Sequence, residues 1–105
     1  MFTEKQFLIS RTHPCLEGHF PNNPIVPGVV ILDEVVAIIL RYNKEYKLKK
    51  ILNVKFLQPL KAEQAVDVEF SEMQIIETGL TKVKFSSSYL GVIISQGEIQ
   101  LEKLN

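Results

Sequence analysis

The sequence predicts an α+β fold, with an antiparallel sheet of five to six strands wrapped around one long central helix. Three observations predict it: a long apolar run opened by Pro27-Gly28, four period-two runs after residue 50, and a weaker strand signal ahead of the helix. The whole chain is 105 residues, which is a single domain over residues 1–105 with no room for a second core.

Residues 2–10 (FTEKQFLIS) carry the weak first strand, because Phe7 and Ile9 alternate with polar neighbours only at its end. Residues 12–27 hold Pro14, Pro21, Pro24 and Pro27. Each proline removes a backbone donor and fixes φ, so this stretch is irregular chain. Gly28 then opens the helix, which runs to about Tyr42. Its sequence, GVVILDEVVAIILRY, is rich in β-branched residues, so length and the Pro-Gly start argue for helix where propensity does not. The run is apolar on nearly every face, and a helix of that kind is buried all round.

After residue 50 the period becomes two. Leu52, Val54 and Phe56 alternate with Asn53 and Lys55. Val66, Val68 and Phe70 alternate with Asp67 and Glu69, and Val83 and Phe85 with Lys82 and Lys84. Ile93, Ile99 and Leu101 share one parity of a last run from Val92 to Leu101. Turn signals separate these runs at Gln58-Pro59 through Glu63, at Glu77-Thr78-Gly79 and at Gly91. A helix of about 15 residues is roughly 22 Å long, and five strands at about 4.8 Å spacing make a sheet of similar width. Such a sheet covers one side of the helix. The other faces are also apolar, and a second copy of the chain is the economical cover.

Composition excludes several functions. Twelve basic and twelve acidic residues cancel, which argues against a nucleic-acid binder driven by bulk phosphate attraction. Cys15 is alone, so there is no internal disulfide and no cysteine cluster for a structural zinc site. The apolar stretch from Val29 to Leu40 is interrupted by Asp33 and Glu34 and is too short to span a membrane. The first residues lack the basic-then-apolar layout of a signal peptide, so a soluble cytoplasmic domain is expected.

The chemically informative stretch is His13 to Glu34, HPCLEGHFPNNPIVPGVVILDE. His19 lies between Gly18 and Phe20 in a proline-stiffened loop, and imidazole accepts a proton near neutral pH. Pro27-Gly28 starts a helix whose first amides have no partner within the helix. Free amides at a positive dipole end suit a carbonyl oxygen that gains negative charge, and Gly28 lets such a group approach the backbone closely. A plain helix start explains the same residues. Asp33 and Glu34 sit in the apolar helix about 100° apart, so they cannot both face one partner. Burial favours the protonated form of whichever faces inward, which suits a proton donor; a hydrogen-bonded structural carboxylate is the other reading. His13 reads as a surface or satisfied residue, and nothing in the sequence activates Cys15 as a nucleophile.

The run from Gly18 to Asp33, GHFPNNPIVPGVVILD, resembles the signature of the 3-hydroxyacyl-[acyl-carrier-protein] dehydratases, which have the hotdog fold. The spacings from histidine to the Pro-Gly glycine, and from that glycine to the acid five residues later, match without a gap. The segment from Val54 to Leu60 is similar to the family's strand after the helix. The resemblance implies that His19 and Asp33 are catalytic, and that the Gly28 amide, beside Val29, holds the thioester carbonyl. It also implies an acyl tunnel lined by Val30, Ile31, Val35 and Phe56. In the family the histidine and the acid of one site come from different protomers, so a homodimer is implied, or a higher oligomer built from it. The chain departs from the pattern at Asn22, where the family often has Gly, and at Ala37, where it commonly has Gln.

The implied reaction is loss of water from a 3-hydroxyacyl thioester to give a trans-2-enoyl thioester, in fatty-acid or related lipid or polyene synthesis. It requires no metal or redox cofactor. The substrate is carried on the phosphopantetheine of an acyl carrier protein or of coenzyme A. Arg41, Lys44, Lys47, Lys49 and Lys50 stand against the single Glu45 in a neutral chain, and this patch fits docking of an acidic carrier protein or a solvated helix end. A hotdog thioesterase, which needs no His19 motif, and a non-catalytic partner subunit of a dehydratase are the alternative readings.

Overall fold

The computed structural model describes residues 5–16 and 25–105. Strand β1 (Gln6–Phe7) is followed by a 3-10 turn at Pro14–Leu16 and by helix α1 (Gly28–Tyr42). Five strands come next: β2 (Tyr46–Phe56), β3 (Val66–Phe70), β4 (Gln74–Glu77), β5 (Leu80–Tyr89) and β6 (Val92–Lys103). The sheet is antiparallel in the order β1-β3-β5-β6-β2, with β4 pairing β5 beyond the end of β3. This is the expected α+β architecture, one helix against a six-stranded sheet.

The core lies between α1 and one face of the sheet. Ile31, Val35, Ile38 and Ile39 recur at helical spacing and are buried against a layer that includes Val66 and Val68 of β3, Val83 and Phe85 of β5, and Ile99 and Leu101 of β6. The expectation of a helix buried all round is corrected for the single chain. One stripe is buried, while Val29, Asp33, Ala37 and Arg41, each four residues apart, form an exposed stripe. A single sheet reaches only one side of a helix, so the uncovered faces follow from the architecture itself.

At its C-terminus the helix is stopped by Asn43. Its side-chain amide donates to the Ile39 carbonyl at 2.8 Å and its backbone N–H to the Leu40 carbonyl at 3.1 Å. These bonds satisfy two of the carbonyls that every helix end leaves open. Tyr46 N–H then donates back to the Asn43 carbonyl at 3.0 Å, starting β2 six residues before Leu52, the first position of the expected alternation.

Two irregularities in β2 correct its expected face. Register against β6 shifts between Leu48 and Lys50 and again between Ile51 and Asn53. Each shift leaves one extra residue, Lys49 and Leu52, so Ile51 rather than Leu52 stands opposite the buried Ile99. Beside the second shift the β2 backbone closes on Gly97, where a Cβ would clash with the Asn53 carbonyl oxygen. Only glycine fits there. A third shift lies between Ser87 and Ser88 and breaks the parity of β6: Ile94 is buried and Ile93 is 37% exposed, not aligned with Ile99 and Leu101.

Candidate active site

Helix α1 begins without a side-chain cap, because Pro27 has none to offer. Val30 and Ile31 N–H both reach back to the Pro27 carbonyl, at 3.0 and 3.3 Å. Among the described residues no acceptor meets the Gly28 or Val29 N–H, the two donors that precede them. Phe56, at the end of β2, lays its ring against this helix start, and a Cβ on Gly28 would sit 2.9 Å from the ring's Cε2 and Cζ.

Beside that contact lies a groove of about 270 Å³ lined by Val26, Gly28, Ile31, Phe56, Leu57, Gln58, Pro59 and Leu60. Its wall is fixed by backbone bonds: Leu57 N–H donates to the Ile94 carbonyl and Val26 N–H to the Leu60 carbonyl, both at 2.8 Å. The groove is lined mainly by apolar side chains, with Gln58 its polar one, and it includes Gly28, whose amide meets no acceptor among the described residues. That combination suits an acyl chain ending in a carbonyl.

The structure brings together Gly28, Ile31 and Phe56 of the residues expected from sequence. Val29 is 65% exposed beside them. Val30 is half-buried, and neither it nor Val35 lines the groove. Val35 is fully buried and points into the core instead, since it is one turn beyond Ile31 on the stripe facing the sheet. The second wall, Leu57 to Leu60, was not anticipated as part of the site; its sequence signal is the Gln58-Pro59 break directly after β2.

Asp33 lies on the exposed stripe of α1, and Glu34 beside it is half-buried. The burial expected for one of these carboxylates is thus not met within one chain. His19 lies in residues 17–24, outside the described residues. His13 is structural: its Nδ1 accepts the Cys15 N–H at 3.0 Å in the 3-10 turn. Of the basic residues, Lys47, Lys49 and Lys50 stand on β2 rather than in a loop. Lys47 and Lys49 each lie 3.8 Å from Glu102, which offsets part of their charge, while Arg41 and Lys44 lie at the end of the helix. No helix among the described residues is long and apolar enough to cross a membrane.

The family described as ApeI-like, ApeI dehydratase, matches residues 3–98. The chain belongs to this family. Among curated proteins, the 3-hydroxyacyl-[acyl-carrier-protein] dehydratase FabZ of Ruminiclostridium cellulolyticum is 28% identical over 99 residues, covering 88% of this chain and 70% of that protein. FabZ of Chlamydia trachomatis serovar D is 28% identical over 102 residues, covering 87% and 65%. Solved structures with the same hotdog fold include the dehydratase heterocomplex ApeI:P from Xenorhabdus doucetiae, with a TM-score of 0.69 at 24% identity over 93% of this chain and 84% of that one. A thioesterase from Thermus thermophilus, complexed with coenzyme A and zinc, superposes with a TM-score of 0.72 at 14% identity, covering 97% and 80%. At such identities these two structures speak for the fold alone. The matched residues 3–98 include the Pro27-Gly28 helix start and the residues that line its groove.

Proposed function

We propose that this ApeI-like dehydratase removes water from a 3-hydroxyacyl thioester, giving a trans-2-enoyl thioester, and does so as a homodimer. The observation that carries the reading is the helix start, where the Gly28 amide meets no acceptor among the described residues and Gly28 lines a mainly apolar groove. The α-proton of a thioester is weakly acidic, so its removal needs the carbonyl polarised as the proton leaves. Donation from the Gly28 N–H to the developing oxyanion is worth about 3 kcal/mol by comparison with other oxyanion donors. His19 takes the α-proton. Asp33 gives a proton to the β-hydroxyl, which departs as water while the new C–C double bond forms. The step leaves His19 protonated and Asp33 ionised, and transfer of that proton back to Asp33 through water restores both for the next turnover.

Asp33 faces away from the buried side of its own helix. In the proposed dimer it meets His19 of the other protomer, across a seam made by the exposed stripe of α1. The thioester arrives on the phosphopantetheine of an acyl carrier protein or coenzyme A. Arg41, Lys44 and the β2 lysines supply the docking charge for an acidic carrier.

The test is a dehydration assay on purified protein with a 3-hydroxyacyl thioester, reading enoyl absorbance and free thiol in parallel. Enoyl product from wild type, and its loss in His19→Ala, is the expected result. Thiol release without enoyl product would convert the reading to thioester hydrolysis. Full activity in His19→Ala would remove the mechanism. A specific observation favours one second reading, a non-catalytic partner subunit: Ala37, which stands where the family commonly has Gln, lies one turn from Asp33 on the same exposed stripe. That reading predicts no turnover by this chain alone.

A further inference from the structure

The groove beside the helix start is graded from buried to exposed. Val26, Ile31 and Leu60 are buried and form its inner end. Phe56 and Leu57, each 46% exposed, form its rim together with the exposed Gln58 and Pro59. Gly28, half-buried, is intermediate. A ligand with one apolar and one polar end gains most by sending the apolar end inward, because a polar group buried without a partner is costly. For a thioester, the acyl chain then takes the inner end and the sulfur side faces the rim.

Gln58 is the one polar side chain in the lining. Its backbone is held in place on both sides. Leu57 and Gln58 N–H both reach the Ile94 carbonyl, at 2.8 and 3.5 Å, which fastens this stretch to β6. Pro59 follows, and a residue before proline is confined to extended backbone. Two amides of the rim are thus engaged and Pro59 has none to give, so the donor this rim offers a ligand is the Gln58 side chain. Among the described residues no hydrogen bond engages that side chain. A primary amide both donates and accepts, which is what the N–H and C=O of a secondary amide require.

We infer that Gln58 recognises the first amide of the phosphopantetheine arm, the one two methylenes from the thioester sulfur. The inference rests on the dehydration reading above and deepens it. The spacing fits. Phe56, whose ring lies against Gly28, is two residues before Gln58, and two residues of extended chain span at most about 7 Å. A sulfur and two methylenes separate the thioester carbonyl from the arm's amide nitrogen, a reach of the same order. With the carbonyl on the Gly28 N–H, the amide comes to the rim. Gln58 thereby reads the thiol part of the substrate and leaves the acyl chain to the apolar inner end.

The test compares two 3-hydroxybutyryl thioesters. The N-acetylcysteamine ester carries that amide, and the pentanethiol ester has hydrocarbon of the same length in its place. Enoyl formation gives kcat/KM for both esters on wild type and on Gln58→Leu. The preference for the amide ester is expected to fall about 3- to 10-fold in Gln58→Leu, the scale of one net hydrogen bond. Taking the ratio between the two proteins cancels the different hydrophobicity of the two esters. An unchanged preference overturns the inference, as does an equal loss on both esters. Ketones with a methylene for the sulfur and no hydroxyl neither dehydrate nor hydrolyse, and their dissociation constants by NMR titration give the same comparison. A wild type without enoyl product refutes the dehydration reading. The ketone ratio then decides the Gln58 inference alone: a 3- to 10-fold fall in Gln58→Leu supports it, and no fall overturns it.

Discussion

Replacing Gly28 with alanine tests the helix start where sequence, packing and chemistry meet. The new Cβ would sit 2.9 Å from two atoms of the Phe56 ring, where carbon atoms normally rest about 3.5–4.0 Å apart. Two responses are open. If the ring holds, overpacking costs about 1–3 kcal/mol. If it swings out, the loss is smaller. Phe56 is already 46% exposed, so roughly half of the usual 1.5–3 kcal/mol of side-chain burial remains to be lost, about 1 kcal/mol. The gain from replacing glycine, about 0.4–1 kcal/mol, offsets most of that. The ring swings, and the melting temperature falls by no more than about 8 °C. Activity behaves differently. The Cβ occupies the approach to the Gly28 N–H, and the displaced ring leaves the groove wall, so kcat/KM falls by about 100-fold, equivalent to losing one oxyanion donor. The double variant Gly28→Ala/Phe56→Ala removes the contact and recovers stability relative to Phe56→Ala alone, but not activity. The assay is enoyl formation with thermal denaturation at one fixed protein concentration. Gly28→Ala with wild-type kcat/KM would refute the assignment of that amide to the carbonyl.

Three further outcomes are expected. Asp33→Asn removes the proposed proton donor from an exposed helix position and lowers kcat at least about 100-fold with the melting temperature unchanged within error; kcat near wild type would dismiss Asp33 as the acid. The buried hydroxyls of Ser87 and Ser95 lie 2.5 Å apart, so Ser87→Ala strands its partner at a cost of about 1–3 kcal/mol, and adding Ser95→Ala costs less than a second such step; strictly additive losses in denaturant titrations would show the pair is not coupled. Asn53, by a side-chain hydrogen bond, and Lys82, at 3.3 Å, hold the Glu98 carboxyl below its ordinary value. With the folded value depressed, whatever Glu98 contributes is present above the ordinary carboxylate range and fades as pH falls through the folded value. Asn53→Ala therefore moves the Glu98 carboxyl titration upward in carbon-13 NMR, and an unmoved midpoint would assign the shift elsewhere.

The helix was legible because its signals are local. Pro27-Gly28 marks its start and an apolar run fixes its length, and the observed bounds are Gly28–Tyr42. The strand centres were legible for the same reason. What escaped was set by pairing between distant segments. Nothing near Lys49 or Leu52 announces an extra residue; the shifts exist because β2 lies against β6, with Gly97 admitting the close approach. Strand β4 carries two adjacent isoleucines, Ile75 and Ile76, in place of an alternation, and every residue in it is exposed, so it had no buried face to leave a period in the sequence. The site divides the same way. Gly28, Ile31 and Phe56, to which the motif and the strand after the helix point, line one groove. Leu57 to Leu60 became a wall only when Val26 N–H met the Leu60 carbonyl, a bond between residues more than thirty positions apart.

The exposed stripe of α1 and the outer strand β2 belong to one argument. Val29 and Ala37 are apolar and exposed, Val30, Val36 and Leu40 are half-buried at the edge of the core, and Ile51, Leu52 and Phe56 on β2 are exposed as well. A free chain with this much apolar surface gains by pairing, at about 25 cal/mol for each Å² removed from water. Asp33 stands inside the stripe and runs against that gain, because covering it takes a carboxylate out of water and is costly without a partner group. A helix selected only to dimerise would carry an apolar residue there. Keeping a carboxylate at the one place where pairing would desolvate it makes sense when the partner chain supplies the group it meets, and His19 is the group the motif provides. In the proposed dimer the same covering would both stabilise the pair and complete the site, so assembly and catalysis would be governed by one surface.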